Sequence, residues 1–195
     1  MPLIPHGEER YVDLMDEDFF ERLAREAEDA SLTFMVVGGH AVNAYGYQRT
    51  TIDVDLLIAE SALGTWRTFW ERRGYRCVHT TDAFCQFRTA DETERFPVDL
   101  MVVSDETFGK LRSKEQRRAV GGCTLPVPSP LHLIALKLHA LSNKERARQG
   151  MDLPDIIGLI RGCGIDTQDV ELQEILERYA DEKIRSEIEE RLRSS

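Results

Sequence analysis

The sequence predicts an α/β fold: a mixed β-sheet flanked by helices over about residues 10–125, followed by a helical bundle over about 126–195. Three observations carry that expectation. Short apolar runs that stop at glycine, such as Val36-Val37-Gly38-Gly39, alternate with segments such as Phe19, Phe20, Leu23, Ala24 and Ala27, whose apolar residues recur at helical spacing. Pro126, Pro128 and Pro130 stiffen the chain at the boundary. Beyond them the pattern is helical throughout.

In order, Asp16 reads as the N-cap of an amphipathic helix over 17–29, with acids in its first turn where the helix dipole favours them. Thr33 to Val37 is a buried strand, and His40 to Tyr45 a brief helix ended by Gly46. Ile52 to Ala59 is the second strand, with Ile52, Val54 and Leu56 expected in the core. Ser61 is expected to cap a helix carrying Leu63, Trp66, Phe69 and Trp70, the tryptophans facing the sheet. Tyr75–Thr80 and Phe84–Thr89 are further strands, with an acidic turn at 90–94. Phe96 to Val103 follows, and Pro97 puts it at an edge or at the strand's first residues. Asp105 to about Lys114 is a short helix, and Gly121-Gly122 marks a hairpin within 119–127. Ser129-Pro130 is an N-cap and N1 pair for a helix to about 147, apolar almost all round from Leu131 to Leu141. Asp152, Pro154 and Asp155 start the next helix, which stops at Gly162-Cys163-Gly164. Asp166 or Thr167 caps a third to about Tyr179, and 181–193 is a charged amphipathic helix.

The 195 residues suffice for a sheet domain plus a small helical one, and 42% apolar with 31% charged residues is an ordinary globular composition. No apolar run reaches the roughly 18–20 residues of a membrane span, and the first residues have neither a basic start nor an apolar core, so a cytoplasmic location is expected without a membrane partner. Cys77, Cys85, Cys123 and Cys163 make no Cys-x-x-Cys pair, so reduced thiols are expected rather than a zinc knuckle. His132 and His139 share a helix face but lack a third ligand. A net charge of −10 argues against a dedicated nucleic-acid binder. The run 110–118 holds five basic residues against one acidic, and reads either as a solvated surface or as a strip contacting phosphate.

The chemistry concentrates between Val36 and Leu56. Asp53 and Asp55 lie two apart on a predicted strand and project side by side. Neighbouring carboxylates repel, and a cation between them relieves that repulsion. Hard oxygen ligands select Mg²⁺ or Mn²⁺, and Mg²⁺ shares such ligands with substrate phosphates. Gly38 and Gly39 let the backbone approach a phosphate closely. The combination points to a site for a metal-bound nucleoside triphosphate.

An apolar residue, Gly38-Gly39, a thirteen-residue spacer from His40 to Ile52, then Asp53-Val54-Asp55-Leu56 resembles the signature of the DNA polymerase β-like nucleotidyltransferases, with a spacer at the long end of their range. Gly38-Gly39-His40-Ala41-Val42 and Arg49-Thr50-Thr51-Ile52-Asp53-Val54-Asp55 look most like the AbiEii-type, abortive-infection branch, which includes nucleotidyltransferase toxins of toxin–antitoxin pairs. The likeness is specific over about 33–58 and weaker over about 131–160. It implies a nucleotidyltransferase-like sheet and Mg²⁺- or Mn²⁺-dependent transfer of a nucleoside monophosphate to a hydroxyl. Asp53 and Asp55 would hold the metal and act in catalysis. Asp99, the acid in Val98-Asp99-Leu100-Met101-Val102-Val103, would be the third carboxylate, holding metal and taking the proton of the attacking hydroxyl.

Gly38, Gly39 and His40 would face the triphosphate, although His40 stands where a phosphate-contacting serine often sits. Arg49 matches an Arg-x-Thr-x-Asp pattern and would pair with carboxylate or phosphate. Lys137, a lone cation on an apolar helix, would hold triphosphate oxygens or else reach the surface. Arg146 or Arg148 would supply the branch's arginine. Asp152 matches the acid of a Lys-Asp motif, with Met151 replacing the lysine, and could serve in place of Asp99; a helix N-cap explains it equally. Gln86 and Arg88 share a strand face, lining the cleft or facing solvent.

The acceptor stays open. The branch implies RNA such as tRNA, or a protein, with an antitoxin as partner; related transferases with this spacer modify small antibiotics. A module that kept nucleotide binding and lost turnover, or a structural divalent-ion site, are the non-enzyme readings.

Overall fold

The computed structural model describes residues 19–89, 96–142 and 149–194; the expected cap Asp16, the acidic turn at 90–94, and Arg146 and Arg148 lie outside them. A helix α1 over 19–29 buries Phe19, Phe20, Leu23 and Ala27, the stripe its spacing predicts. Then come β1 (Met35–Val36), α2 (Gly38–Ala44), β2 (Val54–Ala59), a 3-10 turn (Glu60–Ala62), α3 (Leu63–Glu71), β3 (Tyr75–Thr81), β4 (Phe84–Thr89) and β5 (Val98–Val103). The chain continues through α4 (Asp105–Ser113), a hairpin of β6 (Gln116–Val120) and β7 (Cys123–Val127), and helices α5 (Pro130–Ser142), α6 (Gln149–Gly162), α7 (Val170–Tyr179) and α8 (Glu182–Arg193).

Five strands form one mixed sheet in the order β1-β2-β5-β4-β3, and β6-β7 stand apart as a two-stranded sheet. β2 and β5 run parallel at the centre, while the outer pairings are antiparallel. Every residue of β2 is buried, which is why it reads as a nearly unbroken apolar run. Trp66 and Trp70 pack under the sheet with Phe34, Phe69 and Tyr75. One buried cluster runs from Met35 and Leu57 in the sheet to Leu133, Ile134 and Ile156 in the following helices. The α/β class with C-terminal helices is as expected.

Several local expectations are corrected. The glycines do not precede the short helix: Gly38 begins it, with φ at +62°, a value that favours glycine. Ile52 is 66% exposed rather than in the core. Sheet pairing begins only at Val54, whose N–H donates to the Pro97 carbonyl; ahead of it Pro97 has no N–H to offer. β5 is therefore central, with Pro97 just before its first residue. Ser61 caps nothing; its hydroxyl donates to Asp105. Asp169, not Asp166 or Thr167, caps α7, accepting from the Leu172 N–H. Asp152 is not an N-cap, because α6 already begins at Gln149.

Candidate functional site

Parallel pairing of β2 with β5 sets Asp55 in register with Asp99. Residues opposite each other on neighbouring strands share a face, so two acids 44 positions apart in sequence stand side by side. Both are buried, while Asp53, in the bend just before β2, is half-buried. Asp99 is held from the next strand: Arg88 donates to its Oδ1 at 2.8 Å and Gln86, its register partner on β4, to its Oδ2 at 3.4 Å. The strand face shared by Gln86 and Arg88 is thus half-buried and turned toward Asp99.

The glycine turn is pressed against the same acids. The Val37 N–H donates to the Asp55 carbonyl at 2.9 Å. A Cβ on Gly38 would fall 1.9 Å from Asp55 Oδ2, and one on Gly39 would fall 2.5 Å from Thr51 Oγ1 and 2.9 Å from Arg49 Nη1. Only a residue without a side chain lets the backbone come this close. The paired glycines and the Arg49–Asp55 segment are one unit, locked by contact.

Across from the acids, α5 and α6 supply a buried ion network. Arg49 donates through Nε and Nη2 to both oxygens of Asp155, at 2.7 and 3.0 Å. Lys137 Nζ lies 2.6 Å from Asp155 Oδ2 and donates to Asp152 Oδ1 at 2.9 Å. Asp155 is fully buried, and Lys137 and Asp152 nearly so. Sequence reasoning named Arg49, Lys137 and Asp152 separately and took Asp155 only as a helix start. The available signal was its place three residues after Asp152, on a helix otherwise apolar at Leu153, Ile156 and Ile157.

These elements enclose a cavity of about 300 Å³. Gly38, Arg49, Asp53, Asp55, Lys137 and Asp152 line it, with Met101, Leu133, Leu136 and Met151 as apolar walls. Asp99 lies two residues before Met101 on β5 and therefore shares its face. Gly39 stands behind the lining, against Thr51 and Arg49. His40 is not brought in. Its ring packs edge-on against Phe20, 4.9 Å between centroids, and its buried Nε2 meets no hydrogen-bond partner among the described residues. Burial first, and the Arg49 guanidinium second, pull its pKa down to about 4, so it is neutral at pH 7. A larger, open hollow of about 920 Å³ between α6 and α8 contains none of these acids.

Among the described residues no three His, Cys, Asp or Glu side chains cluster tightly enough to hold a metal ion by themselves. Two carboxylates at a cavity wall match a different arrangement, in which Mg²⁺ keeps waters and completes its shell with substrate phosphate. Asp53 and Asp55 fit that role. Among the described residues His132 and His139 join no metal-holding group, and the four cysteines are free thiols.

No family model matches the chain, and no curated protein matches it. Solved structures do. The chain is similar to the antibiotic-resistance factor ANT(2'')-Ia, whose crystal structure holds adenylyl-2''-tobramycin, with a TM-score of 0.63 and 16% identity over 84% of this chain and 98% of that one. It is similar to an antigenic nucleotidyltransferase-like protein from Paracoccidioides brasiliensis, TM-score 0.54 and 17% identity over 94% and 93%. A lincomycin-bound lincosamide adenylyltransferase, LnuA, matches with TM-score 0.52 and 14% identity over 73% and 95%. The fold is that of the nucleotidyltransferases. At these identities the likeness is one of fold, and activity has to be argued from the site.

Proposed function

We propose that this chain is a nucleotidyltransferase that moves a nucleoside monophosphate from a Mg²⁺- or Mn²⁺-bound triphosphate to a hydroxyl on a small-molecule acceptor. One observation carries the reading: Asp53 and Asp55 meet a glycine turn and Lys137 around a single cavity, with Asp99 in register beside Asp55. A divalent cation held by Asp53 and Asp55 would neutralise charge on the transferring phosphoryl and on the leaving pyrophosphate. The chain's own groups do the positioning. Gly38 leaves bare backbone where a side chain would strike Asp55. Lys137 and Arg49 turn positive charge toward phosphate oxygens, fixed at their far side by Asp155. Asp99, kept in place by Arg88 and Gln86, accepts the proton of the attacking hydroxyl. Asp152, hydrogen-bonded to Lys137, acts through that lysine.

Charge pairing favours the small acceptor over RNA. Of the basic strip at 110–118, Lys110 pairs with Glu106, Arg112 with Glu115 and Lys114 with Glu171. Three of the strip's five cations are thus matched by carboxylates, leaving Arg117 and Arg118, and the whole chain is acidic. The likeness to structures holding adenylylated tobramycin and lincomycin points the same way. A cytoplasmic toxin of the AbiEii type, with an RNA or protein acceptor and an antitoxin partner, is the competing reading, and one assay separates them. Purified protein is incubated with each labelled triphosphate, Mg²⁺, and either hydroxyl-rich antibiotics such as aminoglycosides and lincosamides, or tRNA. Label is expected on a small acceptor, and the Asp53→Ala, Asp55→Ala double variant is expected to lose about a thousandfold or more of that rate. Label on tRNA would move the acceptor to RNA. Turnover untouched by the double variant would overturn the proposal.

A further inference from the structure

On the far edge of the sheet, away from the cavity, two thiols face each other across β3 and β4. Cys77 Sγ and Cys85 Sγ are 3.1 Å apart. Their strands explain the approach. In regular antiparallel pairing Cys77 stands opposite Phe87, and Cys85 is its diagonal neighbour, a relation that leaves side chains well separated. A register shift between Cys77 and His79 breaks the ladder at that point, so that Thr80 rather than His79 faces Cys85. The extra residue tightens the local twist and swings the Cys77 side chain toward Cys85. The sulfurs need to close by only about 1 Å to reach the S–S bond length of about 2.05 Å.

The two thiols are unequal. Cys77 is half-exposed on the edge strand, where a small reagent can reach it, and Cys85 is fully buried. Burial and the neighbouring Cys77 thiol push the pKa of Cys85 up to about 11, which keeps it protonated and unreactive at rest. Arg67 reaches over from α3 and donates to Thr80 Oγ1 at 2.5 Å, placing a guanidinium beside the pair where thiolate charge would develop.

We propose that Cys77 and Cys85 form a built dithiol site that takes low-molecular-weight disulfides, Cys77 as the attacking thiol and Cys85 as the resolving one. The Cys77 thiolate attacks one sulfur of the small disulfide, forms a mixed disulfide and expels one small thiolate. Cys85 gives up its proton to solvent and attacks Cys77 Sγ; the mixed S–S bond breaks and a second small thiolate leaves. The sums balance: two protein thiols are oxidised to one intrachain disulfide, and one small disulfide is reduced to two thiols. The bond ties the edge strand β3 to β4, two residues of which, Gln86 and Arg88, hold Asp99.

Glutathione disulfide is the probe. The full chain, with Cys123→Ser and Cys163→Ser to silence the other thiols, is incubated with excess glutathione disulfide, unfolded without reductant, and read by thiol titration and intact mass. The expected result is loss of both remaining thiols, a mass lower by two hydrogens, no retained glutathione, and full reversal by dithiothreitol. With Cys85→Ala added, a stable glutathione adduct accumulates on Cys77. With Cys77→Ser added instead, Cys85 stays unmodified on the same timescale; this half-exposed change controls for any effect of Cys85→Ala on folding. A parent chain that keeps both thiols, or that retains glutathione, overturns the assignment. So does reaction at Cys85 in the absence of Cys77.

Discussion

Asp99 and Asp155 are both buried aspartates facing cations, and they are built for different work. Asp155 faces three charged donors: Arg49 grips both oxygens and Lys137 adds a third at 2.6 Å. Among the partners of Asp99 are one arginine, itself 24% exposed, and an amide at the outer limit of a hydrogen bond. A carboxylate clasped by three charged donors is held ionised and does not readily take a proton or a metal. Asp99 differs in position: it stands in register with Asp55 on the cavity face, beside a partly solvated arginine. On the proposed function the difference would separate a scaffold acid from a working acid, although both read as isolated aspartates in apolar sequence.

The largest effect that tests this contrast is on stability. Asp155→Ala takes one of two carboxylates from buried Lys137 and the whole grip from half-buried Arg49, and removing one partner of a buried ion pair costs about 3–5 kcal/mol. Urea unfolding of Asp155→Ala is therefore expected to show a large drop in midpoint, which Asp155→Asn recovers only in part. A loss under about 1 kcal/mol would mean that Arg49 and Lys137 find other partners, and that Asp155 fixes neither.

For Asp99 the expected effect falls on turnover. Asp99→Asn keeps the shape and the Gln86 and Arg88 neighbours, so it should leave the unfolding midpoint close to that of the parent. If Asp99 takes the proton of the acceptor hydroxyl, kcat falls about a hundredfold or more while KM for the triphosphate moves little. Equal losses in stability and turnover would place Asp99 with Asp155 as scaffold, and would return Asp152 to consideration as the third acid.

What the sequence made legible follows the range of each interaction. The strand–glycine–helix–strand unit was readable because its parts lie within about twenty residues of one another and each has a local signature. Asp55 facing Asp99 was not readable: that register comes from parallel pairing at the sheet centre, and Pro97 left open whether the strand lay at an edge or only began there. Asp155 was missed for the same reason, since its partners stand 106 positions away at Arg49 and on a different helix at Lys137. Ile52 was misread because alternation says which face a residue takes only once strand pairing has begun, and pairing begins at Val54. His40 had the right position for a phosphate contact, but Phe20 on α1 claims its ring.

His40 supplies a smaller effect, readable by pH. Folding holds it neutral with a pKa of about 4 against an ordinary 6.5, chiefly through burial. Between pH 6.5 and about pH 4 the unfolded chain binds the proton and the folded chain does not, so stability falls as the pH drops through that window and is fully present above it. The gap corresponds to about 3 kcal/mol at the lower end. Urea unfolding at pH 7 and pH 5 should show the loss in the parent and a much flatter dependence in His40→Leu, which also removes a buried nitrogen that lacks a partner. A charged His40 bonded to phosphate would give the opposite result, with added triphosphate raising its pKa in an NMR titration.

The smallest expected effect lies at the surface, where Lys114 meets Glu171 at 2.8 Å with side chains 56% and 40% exposed. Geometrically this pair resembles Lys137 with Asp155; solvent makes it different. Exposed ion pairs contribute about 0–1 kcal/mol, because water screens the attraction and two long side chains must be held still. Lys114→Ala should therefore change the unfolding midpoint barely, and raising salt should remove what difference there is. The same variant bears on the acceptor. If RNA were the substrate and Lys114 left Glu171 to meet a phosphate, Lys114→Ala would weaken tRNA binding and flatten its salt dependence by about one counterion. With a small acceptor, turnover is unchanged. Chemically similar pairs would then matter for folding where water is excluded, and scarcely at all where it is not.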